Sequence, residues 1–235
     1  MYGVANPLFG GPQSLQQIDF IVPNSVFVSV SKLTHPKRHS VNSSHSTTGN
    51  KRGKPTSKRL HRLSVGLTQV YTGDGKGKTS AAFGLALRAI GRGLKVYVVQ
   101  FIKGGFDYGE LHIVDDLPNL KLKAFGRGKF VTEMPPTDED VKLAKEAFNL
   151  AEKVVNSNEY DLVVLDEINV ALNLKLVDVD EVIHLVRNKP EHVELILTGR
   201  YAPPEIIEVA DLVTEMKEVK HPYTRGIPPR KGIEY

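Results

Sequence analysis

The spacing of apolar residues changes along the chain, and from residue 67 onward it spells out alternating strands and helices. LTQVYTG, Leu67 to Gly73, is a β-branched and aromatic run that ends in glycine. It predicts a strand entering a turn. Residues from about Lys78 to Arg92 have helix-compatible composition, and Gly93 supplies a stop. LKVYVVQFI, Leu94 to Ile102, is almost continuously apolar, as a strand buried on both faces requires. LKLKAF, Leu120 to Phe125, alternates and predicts another strand.

After Thr137 the period lengthens. Val141, Ala144, Ala147, Phe148, Ala151, Val154 and Val155 fall three or four residues apart, so a helix is expected there. Thr137 and Asp140 read as its capping box, with Asp in place of the usual Glu. DLVVLDE follows as a strand ending in two acids, Asp166 and Glu167. A helix from Val179 to Val186 stops before Pro190, VELILTG (Val193 to Gly199) is a strand, and Glu205 to Ala210 is a short helix. Leu212 to Met216 is a last strand. Strands separated by helices, with no internal repeat, predict an α/β fold with a mostly parallel sheet and helices on both faces.

Residues 1–63 lack such a pattern. Thr34 to Arg62 is rich in Ser, His, Lys and Arg and nearly free of large apolar residues, so it buries too little to offset its ordering entropy. The expected division is a leader over 1–63 and one domain over 64–235. Three readings of the leader stay open: a disordered tail, an organellar transit peptide, or an extension upstream of the true start. A short apolar run, IDFIVPNSVFVSV, lies within it and is broken by Pro23.

Charge changes this picture in one respect. The chain carries a net charge of +4. Residues 1–62 alone sum to +8, so the remainder is mildly acidic, at about −4. The basic character belongs to the leader, which argues against a nucleic-acid binder with its patch on the folded surface. The chain has no cysteine, which excludes disulfides, thiolate zinc sites and a cysteine nucleophile, and fits a reducing compartment such as the cytoplasm. No apolar run approaches the roughly 20 residues of a membrane span.

The chemistry concentrates in TGDGKGKTS, Thr72 to Ser80. A phosphate-binding loop reads G-x-x-x-x-G-K-[ST] between a strand and a helix. Gly77, Lys78 and Thr79 fill the last three places, while Thr72 stands where the first glycine belongs. Gly73, Gly75 and Gly77 let the backbone curl so that N–H groups face phosphate oxygens. The following helix N-terminus adds partial positive charge. Lys78 neutralises polyphosphate, Lys76 adds a second cation, and the Thr79 hydroxyl is placed to ligate Mg²⁺. Without its flanking strand and helix, the same stretch would be only a flexible turn.

Asp166 and Glu167 arrive at the edge where such sheets bind ligands, and an acid there holds Mg²⁺ directly or through water. Arg200 ends the ILTGR strand at the same edge, either to meet phosphate or carboxylate or to stay in solvent. Arg88, inside the loop's helix, either reaches the nucleotide or is solvated. His112, His184, His192 and His221 lack metal-ligand spacing and read as surface or structural. Residue chemistry reaches a Mg²⁺–nucleotide protein of the P-loop NTPase-like, RecA-like kind and goes no further.

A resemblance goes further. VYTGDGKGKTSAAFGLALRAIGRGLKVYVVQFIKG, then YGE, LVVLDEINVAL, LTGRYAPPEIIEVADLVTEMKEVKHPY and the terminal KGIEY together resemble the P-loop-type ATP:corrinoid adenosyltransferases, over about Gly66 to Tyr235 and in the family's order. The family's loop reads TG-x-GKGKT, which accounts for Thr72. The resemblance implies that a Co(I) corrinoid attacks the 5′ carbon of ATP and inorganic triphosphate leaves whole. It implies nucleotide contacts at Gly73, Asp74, Gly75, Lys76, Gly77, Lys78, Thr79 and Ser80, with Arg88 and Arg200 as further candidates. Thr79 and Glu167 become the Mg²⁺ (or Mn²⁺) site, and Lys78, Thr79 and Glu167 the catalytic set. It further implies a homodimer and a flavoprotein reductant supplying Co(I), with no nucleic-acid or membrane partner. Some members carry a Phe–Trp pair near the corrinoid's lower face. Here GRGKFV offers Phe130, and the chain has no Trp. The leader also shows no match to the N-terminal segment that covers the active site in some relatives. Two other readings remain: a P-loop ATPase or kinase acting at the γ-phosphate, and a nucleotide- or corrinoid-binding protein without turnover.

Overall fold

The computed structural model describes residues 62–128 and 136–235. The leader up to residue 61, with its apolar run, and Phe130 lie outside the described residues.

Six strands form one sheet: β1 (Thr68–Thr72), β2 (Val96–Gln100), β3 (Leu120–Ala124), β4 (Leu162–Asp166), β5 (Glu194–Thr198) and β6 (Leu212–Glu215). Their order is β3-β2-β4-β5-β1-β6, and every neighbouring pair is parallel. The expected mostly parallel sheet is therefore wholly parallel among the described residues. The helices are α1 (Lys78–Gly91), α2 (Gly109–His112), α3 (Asp138–Asn156), α4 (Ile168–Asn173), α5 (Val179–Asn188) and α6 (Pro204–Val209).

Strand pleating explains why central strands are apolar throughout. Successive side chains point to opposite faces, and both faces are covered. On β4, Leu162 and Val164 pack with Ala82, Ala86 and Ala89 of α1. Val163 and Leu165 point the other way, into a cluster with Ala147, Phe148 and Ala151 of α3, Ala171 of α4 and Val182 of α5. The small alanines of α1 let that helix lie close to the sheet.

Ends of elements follow local chemistry. The capping box of α3 is present: Asp140 N–H donates to Thr137 Oγ1 at 3.4 Å, and Thr137 N–H donates to Asp140 Oδ2 at 3.0 Å. Arg127 also grips Asp140 with two donors, each at 2.7 Å. Burial works against the Asp140 charge, but Arg127 and Thr137 outweigh it and hold the carboxyl below its usual range. β2 is shorter than the apolar run from Leu94 to Ile102 suggests. Ile102 takes a left-handed conformation (φ 53°), which turns the chain out of the sheet.

The parallel register brings strand ends together. Gln100 pairs with Asp166, and Tyr71 with Thr198. The C-terminal ends of β1, β2, β4 and β5 thus open onto one edge, the place where open parallel sheets bind ligands.

Candidate active site

A cleft of about 710 Å³ sits at that edge. It is lined by Asp74, Lys76, Gly77, Lys78, Thr79 and Ser80, by Glu167 and Arg200, and by Lys103, Tyr108 and Glu110. This volume is within the range of small-ligand sites.

The loop between β1 and α1 is held rigidly from behind. Gly75 N–H donates to Met216 O at 2.6 Å, and Met216 N–H to Thr72 O at 2.8 Å. A Cβ on Gly73 would sit 2.5 Å from Met216 O, and one on Gly75 2.6 Å. These two glycines are therefore needed for close approach to the chain after β6, in addition to curling the loop. The Gly75 N–H, expected to face phosphate, is instead spent on Met216. The Thr72 hydroxyl accepts from Ala202 N–H at 3.2 Å, which ties the loop to the segment after β5.

Gly77 (φ 123°) caps α1, and no side chain caps or acid occupies its first turn. The start of α1 is thus left open to an anion. Lys78 is buried and donates to Gly73 O and Gly75 O, each at 2.7 Å. Burial pulls its ammonium below the usual range; Glu167 opposes this and Arg200 adds to it. Lys76 is less buried and meets the chain terminus, with Nζ 2.8 Å from Glu234 Oε1 and 3.2 Å from Ile233 O. Arg200 donates to Asp74 O at 3.1 Å.

Arg88 is not brought to this cleft. It is exposed in the last turn of α1, ten residues or about 15 Å along the axis from Lys78. Among the histidines, His221 lines the cleft, where its Nδ1 accepts from Tyr223 N–H at 3.2 Å.

The two acids after β4 have different environments. Asp166 is fully buried. It accepts from Thr79 Oγ1 (2.9 Å), Thr198 Oγ1 (2.6 Å), Lys103 Nζ (2.7 Å) and Gln100 Nε2 (3.2 Å). Burial disfavours its charge, but Lys103 and the two hydroxyls overcome this and keep the carboxyl below its usual range. Glu167 is left-handed (φ 65°) at the start of α4 and faces the cleft. Burial, and then the neighbouring Asp166 charge, raise its pKa; Lys103, Lys78 and Arg200 oppose them. Thr198 joins the pair, since its hydroxyl also accepts from Glu167 N–H at 3.0 Å.

Thr79 and Glu167 present hard oxygen donors to one cleft, the donor type that magnesium takes. Among the described residues no three His, Cys, Asp or Glu groups converge on a metal position. The donors present suit an ion that brings most of its ligands from phosphate and water.

Lys103, Gln100 and Thr198 are members of the site that sequence reasoning does not find. Gln100 and Thr198 carry a signal in retrospect, as polar residues ending apolar strands. Lys103 carries none, because its position depends on β2 lying beside β4.

Residues 64–235 match the family model for the ATP:corrinoid adenosyltransferase BtuR/CobO/CobP. A corrinoid adenosyltransferase of Sinorhizobium sp is 40% identical over 172 residues, covering 72% of this chain and 80% of the relative. Its counterpart in Pseudomonas aeruginosa is 40% identical over 171 residues, covering 72% and 84%. That of Escherichia coli K12 is 35% identical over 170 residues, covering 72% and 86%.

Proposed function

The chain belongs to the ATP:corrinoid adenosyltransferases, and from that membership we propose how its own residues divide the work of ATP-dependent corrinoid adenosylation. The domain over 64–235 carries the reaction. A Co(I) corrinoid, the second substrate, attacks the 5′ carbon of ATP. A Co–C bond forms, the C5′–O bond breaks, and the electron pair leaves with inorganic triphosphate.

The protein must then hold a polyphosphate whose charge grows as it departs. Stabilisation of that growing charge accelerates the step, whereas uniform binding does not. Lys78 exchanges the carbonyls of Gly73 and Gly75 for phosphate oxygens. The open first turn of α1, with Thr79 and Ser80, supplies N–H donors. Asp74, Gly77, Lys76 and Arg200 complete the wall around the triphosphate, and Gly73 and Gly75 keep the loop in shape. Thr79 and Glu167 hold Mg²⁺ or Mn²⁺, which as a Lewis acid neutralises phosphate charge when bound. No protein nucleophile is required, because the corrinoid brings its own; positioning and electrostatics suffice.

This reading also includes a homodimer, a flavoprotein reductant that supplies Co(I), and a cytoplasmic setting, or an organellar one if the basic leader is a transit peptide. Among the described residues no helix is long and apolar enough to cross a membrane.

The observation that carries the reading is the meeting of Lys76, Lys78, Thr79, Glu167 and Arg200 around one cleft. Anaerobic incubation of the full chain with MgATP and chemically reduced corrinoid tests it. Absorbance should report Co–C bond formation, and Lys78→Ala should suppress it. Full activity in that variant would overturn the assignment of the cleft.

A further inference from the structure

Lys103 lies three residues beyond the end of β2 and makes contacts that nucleotide binding alone does not require. Its Nζ is 2.7 Å from Asp166 Oδ2, 3.1 Å from Thr79 Oγ1 and 4.0 Å from Glu167 Oε1. These oxygens include both donors assigned to the metal. The remaining side of the ammonium faces the Tyr108 ring, 5.3 Å from its centroid, a cation–π contact.

The chain is bent to achieve this. Ile102 has φ 53°, a region that β-branched residues rarely enter. That turn takes the chain out of the sheet immediately before Lys103. Lys103 nevertheless lines the cleft, so the group reaches the space where ligand enters.

We infer that Lys103 is a positioning residue for the metal: its ammonium takes the place of a divalent cation among Thr79, Asp166 and Glu167, and it is displaced when that cation enters with the nucleotide. An ammonium and a divalent cation cannot share the same oxygens, because their repulsion at a few ångströms in a partly buried site is large. The displaced ammonium remains in the cleft, where the triphosphate is the anion available to it. Metal and nucleotide therefore load together, and the nucleotide-free protein takes up divalent metal poorly. This inference rests on the proposed metal site at Thr79 and Glu167.

The test is Mn²⁺ binding to the full chain, followed by electron paramagnetic resonance. Without nucleotide, wild type should bind Mn²⁺ weakly, and Lys103→Met should bind it roughly tenfold more tightly or better, because a repelling charge is gone. Lys103→Arg keeps the charge and should stay weak. Equal or weaker Mn²⁺ binding in Lys103→Met would overturn the inference. The reading of the metal site is checked in parallel with wild type plus ATP. If Mn²⁺ is held there while Lys103→Met shows no gain without ATP, the lysine inference alone fails. If wild type holds no Mn²⁺ even with ATP, the metal site fails with it. A measurement on wild type covers the case in which Lys103→Met does not fold. In protein with ¹⁵Nζ-labelled lysine, the ammonium resonance that Lys103→Arg removes should shift when Mg²⁺ and triphosphate are added together. It should stay in place with Mg²⁺ alone. A resonance unmoved by both would overturn the inference.

Discussion

The Thr79 hydroxyl donates to Asp166 Oδ1 at 2.9 Å, joining the first turn of α1 to the end of β4 across 87 residues. This bond links the phosphate loop to the carboxylates, so neither half of the site is built alone. It also separates two neighbouring acids by role: Asp166 is buried and saturated with donors, while Glu167 faces the cleft.

Glu167 should reveal itself by pH. Its carboxyl is raised above the ordinary value of 4.5, first by burial and then by Asp166. A group raised in this way contributes full stability below its unfolded pKa and loses it as pH rises through the folded value. Without metal or nucleotide, Glu167→Gln should therefore melt higher than wild type near pH 8. The gain should shrink as the pH is lowered towards the ordinary glutamate range. With substrates present, the same variant should need more divalent metal for half-maximal rate. Calorimetry across pH and a metal titration of the rate check both expectations. An unchanged metal requirement would remove Glu167 from the metal site.

Lys78 is buried against two loop carbonyls, which it would exchange for phosphate oxygens in the proposed complex. A hydrogen bond to a charged group contributes about 1.5–3 kcal/mol, so Lys78→Ala should weaken MgATP binding about ten- to hundredfold. The rate at saturating ATP should fall as well if the same cation stabilises the departing triphosphate as proposed. Isothermal titration and steady-state kinetics measure the two effects. Affinity within about twofold of wild type would contradict the assignment.

Glu234 Oε1 lies 2.8 Å from Lys76 Nζ and would compete for that ammonium with a polyphosphate bound as proposed. Arg230 and Lys76 hold its carboxyl far below the usual range, so it is charged at any working pH. Removing that charge leaves Lys76 free and takes an anion out of the cleft. Glu234→Gln should tighten MgATP binding by up to about fivefold, the scale of an exposed ion pair. Weaker binding in this variant would show that Glu234 serves the nucleotide and does not compete with it.

The capping box of α3 gives a stability prediction remote from the cleft. Thr137→Ala removes the oxygen that accepts from Asp140 N–H and should cost about 1 kcal/mol. That corresponds to roughly 3 °C in melting temperature for a domain of this size. Urea unfolding at equilibrium measures it, and a loss below about 0.3 kcal/mol would mean that Arg127 holds the segment without the cap.

Much of this is legible in the residues because each signal is local. TGDGKGKTS carries its own turn chemistry, Thr137 and Asp140 are three residues apart, and the apolar run of β4 reports burial on both faces. What stays hidden depends on strand order. Lys103 meets Asp166 because β2 lies beside β4, and Gly75 is spent on Met216 because β6 lies beside β1. Helices α2 and α4 leave no trace in the sequence, because four or six residues are too few to show a helical period. Asp166 and Glu167 look equivalent as a pair of acids. Only the end of the strand at Asp166, and the left-handed turn at Glu167, decide which one is buried and which faces the cleft.

The central claim is that the cleft releases triphosphate whole while adenosyl passes to cobalt. Phosphorus NMR of an anaerobic reaction with MgATP and reduced corrinoid tests it most directly. One equivalent of inorganic triphosphate is expected for each Co–C bond formed, with no turnover when corrinoid is withheld. ADP and phosphate as the main products, released without corrinoid, would contradict it.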